Sequence, residues 1–284
     1  MLEEGPPAAD LSPAPAVAFV AAAEAFAYSS GLAAAVGGGL ALAVGRALGS
    51  DSAWTAAALV GSAVLFIYGV DRLRDVEGDR AGSPRRTDFV VRHRRRLGLA
   101  SLLAGLCVAW LLLHAPAAVF SLCAVLGAVG LFHRRLKQSV PWKIGYVATA
   151  WTVACVGVPW LWSAGRPEAE METAIWAAIL VGASLVSNLV ASNLREGKTG
   201  RWHSPWRPEA VIAGARFALI GSVLAAVAAP DSITPLAWIP AAEAVGLSFF
   251  RPTERYGHLA VDGALLVGAI LAAVHGAVHG AGID

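Results

Sequence analysis

Charge is what this chain has least of. Charged residues make up 15% of its 284 residues, and 22 Lys and Arg nearly balance 20 Asp and Glu. A soluble domain of this length needs a charged surface around its core, and this sequence does not supply one. Cysteine is also scarce. Cys107, Cys123 and Cys155 all lie within apolar runs and show neither CxxC nor Cys/His ligand spacing, so they read as small core residues and not as a disulfide or zinc framework. The first fifteen residues, MLEEGPPAADLSPAP, contain no basic residue. That argues against a cleavable signal peptide and for a disordered cytoplasmic tail over residues 1–15.

What is abundant is apolar sequence: 57% hydrophobic residues and a mean hydropathy of +0.61. Measured against the roughly 20 residues that cross a bilayer, the apolar runs predict nine spans, near 16–45, 53–71, 97–114, 117–132, 144–163, 172–193, 209–229, 233–249 and 258–280. The expected fold is thus an all-α integral membrane protein with a single transmembrane domain over 16–284. The first run contains Gly37, Gly38 and Gly39, which suggests a break, a kink or a close helix contact. Connections 72–96, 134–143, 195–207 and 251–255 carry 19 of the 22 Lys and Arg. By the positive-inside rule these connections and the amino terminus are cytoplasmic and the carboxyl terminus is outside, as in a multi-pass protein of a bacterial-type inner membrane. Because the basic residues follow membrane topology, nucleic-acid binding is set aside. Connections 72–96 and 194–208 are long enough to form a structured cap.

The candidate chemistry sits at the ends of the second, fourth and sixth runs. In FIYGVDRLRDVEGDR, Asp71, Asp75 and Asp79 recur every four residues, which on a helix places them on one face. Such carboxylates either pair with Arg72, Arg74 and Arg80 or suit Mg²⁺, which takes one or two protein carboxylates together with waters and substrate phosphates. Arg85, Arg86 and Arg92 follow in a basic stretch that reads either as an anchor on anionic headgroups or as a lid over a diphosphate. Next come His133 and Lys137, the lysine one turn beyond and within reach of a phosphate. The stretch SNLVASNLREGKTGR brings Asn188, Asn193, Glu196 and Lys198, whose amides serve either as interhelical glue or as ligands. Inside the runs, Glu24, Arg216, Glu243 and Asp262 are costly charges that face the bundle interior or a wet cavity, and Arg216 and Asp262 are placed to pair or to line a cavity mouth.

In layout, and in these three connections, the chain resembles the UbiA family of intramembrane prenyltransferases. The family pattern Asn-Asp-x-x-Asp-x-x-x-Asp falls on Asp71, Arg72, Asp75 and Asp79, with Asp71 in place of asparagine and Arg72 in place of an acid. The Tyr-x-x-x-Lys element falls on His133 and Lys137. The second acidic motif is represented by Asn188, Asn193 and Glu196 in place of further aspartates. The resemblance implies a helical bundle around a central cavity and Mg²⁺-dependent transfer of a prenyl group from an isoprenoid diphosphate to an acceptor within the bilayer. Asp71, Asp75, Asp79, Asn188 and Glu196 would hold the metal. Arg72, Arg85, Arg86, Arg92, His133, Lys137, Asn188 and Lys198 would hold the diphosphate, with Lys137 also catalytic. Two alternatives remain: a membrane terpene cyclase using the same cation, or a non-catalytic isoprenoid- or quinone-lipid-binding protein.

Overall fold

A computed structural model describes residues 15–80, 82–131, 140–164, 171–194 and 207–280. All regular structure among them is helical. In chain order the helices are α1 (Pro15–Tyr28), α2 (Gly31–Ala47), α3 (Ala53–Arg74), α4 (Val76–Arg80), α5 (Pro84–Arg92), α6 (Arg94–Leu113), α7 (Ala117–Leu131), α8 (Val140–Thr152), α9 (Val158–Trp162), α10 (Met171–Asn193), α11 (Pro208–Ala225), α12 (Trp238–Ser248), α13 (Glu254–Tyr256) and α14 (Asp262–Gly280). Wider π turns, Val153–Gly157 and Gly257–Val261, join α8 to α9 and α13 to α14.

Among the described residues six segments are long and apolar enough to cross a membrane, or seven if α1 and α2 count as one bent span. α6 and α11 show why they belong in lipid. Leu99, Leu102, Leu103, Leu106 and Trp110 on the first, and Phe217, Ile220 and Leu224 on the second, are all exposed. In water such faces would be an aggregation hazard, whereas in a bilayer they are ordinary. The nine-span expectation is met only in this coarser form, because α7 and α12, with 15 and 11 residues, are shorter than a full crossing.

The first predicted span, 16–45, is not continuous. α1 and α2 meet at an angle of 72°, at Ser29 and Ser30 and not at the glycines. Ser30 takes a left-handed backbone, φ 72°, which is costly for a residue with a Cβ. The bend frees carbonyls at the end of α1, and Arg72 answers them: its Nη1 donates to the Ala27 and Tyr28 oxygens at 3.2 and 2.6 Å. Helix ends leave such carbonyls without partners, and an arginine side chain is a natural cap.

Of the three uses foreseen for Gly37–Gly39, close contact is the one realised. α2 and α3 form the most extensive helix pair. A Cβ on Gly38 would stand 3.1 Å from the Ala57 carbonyl oxygen, and one on Gly61 would stand 3.2 Å from that of Ala34. Small residues let helix backbones approach where apolar burial gives little drive, since lipid tails are as apolar as leucine. Around this pair the core closes with Leu40, Leu59, Val60, Leu180, Val181, Ile233, Ile239 and Leu265.

Candidate functional site

One end of the bundle opens into a cavity of about 130 Å³ where six parts of the chain converge. α2 contributes Ala33 and Val36, the last turns of α3 contribute Tyr68 and Arg72, and α5 contributes Arg86. α10 adds Leu185, Asn188, Leu189 and Ser192, and the start of the last span adds His258, Asp262 and Leu265. Trp151 of α8 completes the wall, with its Nε1 donating to the Tyr68 hydroxyl at 3.2 Å and its ring edge-on to that of Tyr68. The lining is therefore amphiphilic, with two guanidinium groups and several hydrogen-bonding side chains above an aromatic and aliphatic wall.

Local sequence explains how the cationic side is built. α3 ends at Arg74, and Asp75 leaves helical geometry with φ −108° and ψ 22° before α4 begins at Val76. This break interrupts the single face on which an unbroken helix would have stacked Asp71, Asp75 and Asp79. Asp71 and Asp75 remain one turn apart and half-buried, and the Asp75 amide donates to the Asp71 carbonyl at 2.9 Å. Asp71 stands close enough to the Tyr68 and Tyr146 phenols to act on both electrostatically. The Asp79 side chain lies outside the described residues, and Glu77 is exposed.

Pro84 then starts α5 at a position where its missing N–H costs nothing. Thr87 and Val90 are buried, which turns one face of α5 onto the bundle. Phe89 packs against Tyr28, and the Arg86 amide donates to Glu254 Oε1 at 3.3 Å. α5 is thus fastened to α1 and α13 over the cavity end.

The predicted diphosphate contacts divide accordingly. Arg72 and Arg86 line the cavity, with Arg72 also holding the α1 carbonyls. Arg85 is exposed beside Tyr28. Arg92 lines a separate open depression with His93, Arg94, Arg95 and Arg96. Asn188 is in the cavity wall, its Nδ2 donating to Asp262 Oδ1 at 3.2 Å. Asn193 caps α10 through Leu189 O and accepts from Lys143 Nζ at 3.2 Å. His133, Lys137, Glu196 and Lys198 lie outside the described residues. Arg216 does not pair with Asp262. Its guanidinium donates to the carbonyls of Leu247 and Ser248 at the end of α12, and Asp262 goes to Asn188 and His258 instead. Glu24 pairs with Arg255 at 2.6 Å.

Three cavity residues were not singled out from sequence as site residues: Tyr68, Ser192 and His258. For His258 a signal existed, since it lies four residues before an intramembrane acid and is therefore its neighbour on a helix. Among the described residues no three His, Cys, Asp or Glu side chains converge as a metal-binding group. Mg²⁺ asks for only one or two protein carboxylates completed by waters and phosphate oxygens, and Asp71 and Asp75, half-buried and one turn apart, are the acids of the expected motif whose side chains are described. No protein-family model, curated protein or solved structure matches the chain.

Proposed function

We propose that the cavity and the adjoining Asp71 and Asp75 bind an isoprenoid diphosphate with Mg²⁺, and that the protein transfers the prenyl group to an acceptor held in the bilayer, as UbiA-type enzymes do. The observation that carries this reading is the meeting of Arg72, Arg86 and Asn188 in one cavity at the end of the helix that bears the two acids. Guanidinium groups match phosphate oxygens in charge and in planar donor geometry. Bound there, Mg²⁺ would supply Lewis-acid stabilisation of the diphosphate as a leaving group.

The chain's own residues do the rest. Arg86 and Arg72 orient the diphosphate oxygens at the mouth, while the deeper wall of Leu185, Leu189 and Leu265 keeps water from the first carbons of the chain. Trp151 and Tyr68 present aromatic surface where allylic cation character develops, an attraction of about 0.5–2 kcal/mol per ring. In this reading the connection that carries Arg86 faces the cytoplasm, as its nine Lys and Arg would favour under the positive-inside rule, with the amino terminus inside and the carboxyl terminus outside.

The same cation closing on itself would make the protein a terpene cyclase, and the products of turnover separate the two reactions. One observation favours a third, non-catalytic reading: the Asn188 amide is bound to Asp262, so this member of the predicted second metal set is already engaged. The deciding experiment is binding of farnesyl diphosphate to the purified protein with and without Mg²⁺, for the wild type and for Asp71→Asn/Asp75→Asn. Binding that needs the metal and is lost in the variant supports the diphosphate site. Binding indifferent to both leaves a lipid-binding membrane protein.

A further inference from the structure

Behind the cavity wall lies a polar cluster that diphosphate binding does not use. Glu243, midway along α12, is 0% exposed, and neither of its carboxyl oxygens accepts a hydrogen bond. Its helix packs against α10 and α14, which carry Asn188 and Asp262, and both residues are near enough to act on its carboxyl group. The Asn188 amide is near enough to act on Glu243, but the hydrogen bond its Nδ2 makes in good geometry goes to Asp262 Oδ1 at 3.2 Å, and no donor meets that geometry at either Glu243 oxygen. The other Asp262 oxygen lies 3.3 Å from His258 Nδ1. His258 is itself 5% exposed, with its ring edge-on to Tyr28 at 5.9 Å, and with Asp262 it lines the cavity. It sits in the π turn Gly257–Val261, a widened geometry found mostly where a helix serves a site.

Of the other titratable groups on elements packed against α12, Glu172, Glu209 and Asp231 stand near the far ends of their helices, and His275 accepts from Trp238 Nε1 at 3.1 Å. Arg216 of α11 donates to the Leu247 and Ser248 carbonyls, and the Tyr256 hydroxyl donates to Gly246 O at 2.8 Å. Neither forms an ion pair with Glu243. From α10 the facing group is the neutral Asn188, and from the last span it is Asp262 with His258.

We propose that Glu243 and Asp262 form a proton-holding site within the membrane, in exchange with the cavity through Asp262 and His258. A buried carboxylate with no donor and no counter-ion is among the most expensive arrangements a membrane protein can hold, and a proton removes that cost. Two carboxyl groups in one apolar site share a proton for the same reason that they cannot both be charged cheaply.

The use of the site, though not its existence, rests on the prenyl-transfer reading. As the prenyl C–O bond breaks, its electron pair leaves with the diphosphate. The acceptor forms its new bond to the prenyl carbon and sheds one proton. With the shared proton already on Glu243, the charged partner Asp262 and the His258 ring beside it, both on the cavity wall, are placed to receive that proton.

The test is infrared spectroscopy of the purified full-length protein in lipid nanodiscs at neutral pH, without diphosphate. The wild type should show a carbonyl-stretch band of a protonated carboxyl group that moves in D₂O. Glu243→Gln should abolish this band, and Asp262→Asn should shift its frequency without removing it. Should Glu243→Gln fail to fold, ¹³C-labelled glutamate must move the same band in the wild type. A wild-type spectrum without the band overturns the proposal, as does a band untouched by glutamate labelling or by Asp262→Asn. Failure of diphosphate binding would leave all of these spectra unchanged, so the two readings fail separately.

Discussion

The helices α3 and α14 each change character along their length, and in the same way. Around Gly61, α3 lies so close to α2 that a Cβ would meet the Ala34 carbonyl oxygen at 3.2 Å, while two turns later it turns Tyr68 and Arg72 into the cavity. α14 repeats this in reverse. It begins at Asp262 in the cavity wall, and by Gly268 a Cβ would stand 2.8 Å from both Ile239 Cα and the Trp238 carbonyl oxygen. The tightly packed halves fix where the helices run. The open halves then hold polar groups in a gap that packing at the other end keeps from closing.

The sharpest break of this comparison uses two glycines of one helix. Gly263, with nothing within 4 Å of its Cβ position, borders the open half, and Gly268 belongs to the packed half. Alanine at either position gains the same intrinsic helix preference, about 1 kcal/mol. That gain cancels between the two variants, so their difference reports packing alone. Gly268→Ala should be less stable than Gly263→Ala by about 1–3 kcal/mol, the usual range for overpacking, because the atoms in the way are backbone and cannot swing aside. Thermal unfolding in detergent measures it, and equal melting temperatures would break the comparison.

Arg72 tests whether the open half is also structural. Arg72→Ala takes the arginine from the Tyr28 carbonyl and leaves the Ala27 carbonyl only its long bond from the Ser30 amide, at a cost of about 1–3 kcal/mol if they stay buried. Arg72→Lys keeps the charge but loses the fork that reaches two carbonyls at once. The lysine variant should therefore recover part of the Mg²⁺-dependent farnesyl diphosphate affinity while remaining less stable than the wild type. Recovery of stability without affinity would assign Arg72 to ligand geometry instead of capping.

The two halves were unequally legible in the sequence. The helical, membrane-type character could be read because apolar runs of bilayer length have few alternatives, though not the number of full spans, and Gly37–Gly39 left a break, a kink and a close contact open. The bend at Ser29 and Ser30 could not be read, because what makes it tolerable is Arg72, more than forty residues away. In the site, Arg72, Arg86, Asn188 and Asp262 stood out as polar groups in an apolar chain. Tyr68 and His258 did not, since an isolated aromatic or histidine in such a run fits core or interface equally well. The pairing foreseen for Arg216 failed for a related reason: charge complementarity does not say which carbonyls a helix end will leave open. The acids of the open half carry the next prediction. Asp71→Asn/Asp75→Asn should lose at least tenfold in Mg²⁺-dependent farnesyl diphosphate affinity, about 1.4 kcal/mol, with an unchanged melting temperature. A fall in melting temperature of the Gly268→Ala kind would make these acids structural.

The smallest effect is expected at Arg92, where the comparison can be sharpened most. Sequence alone grouped Arg92 with Arg86, six residues earlier on the same connection. In the fold, Arg86 lines the cavity and Arg92 the separate depression with Arg94, Arg95 and Arg96. The four exposed arginines lie together at the start of a span, so anionic headgroups are their natural counter-ions, each arginine contributing about 1 kcal/mol near a charged membrane surface. Arg92→Gln should therefore lower the preference for anionic over zwitterionic lipid by about fivefold, read by native mass spectrometry from mixed nanodiscs, while farnesyl diphosphate affinity stays constant. Arg86→Gln should do the opposite. If Arg92→Gln weakens diphosphate binding and spares lipid preference, the cavity extends over α5, and the boundary between site and membrane anchor lies beyond Arg92.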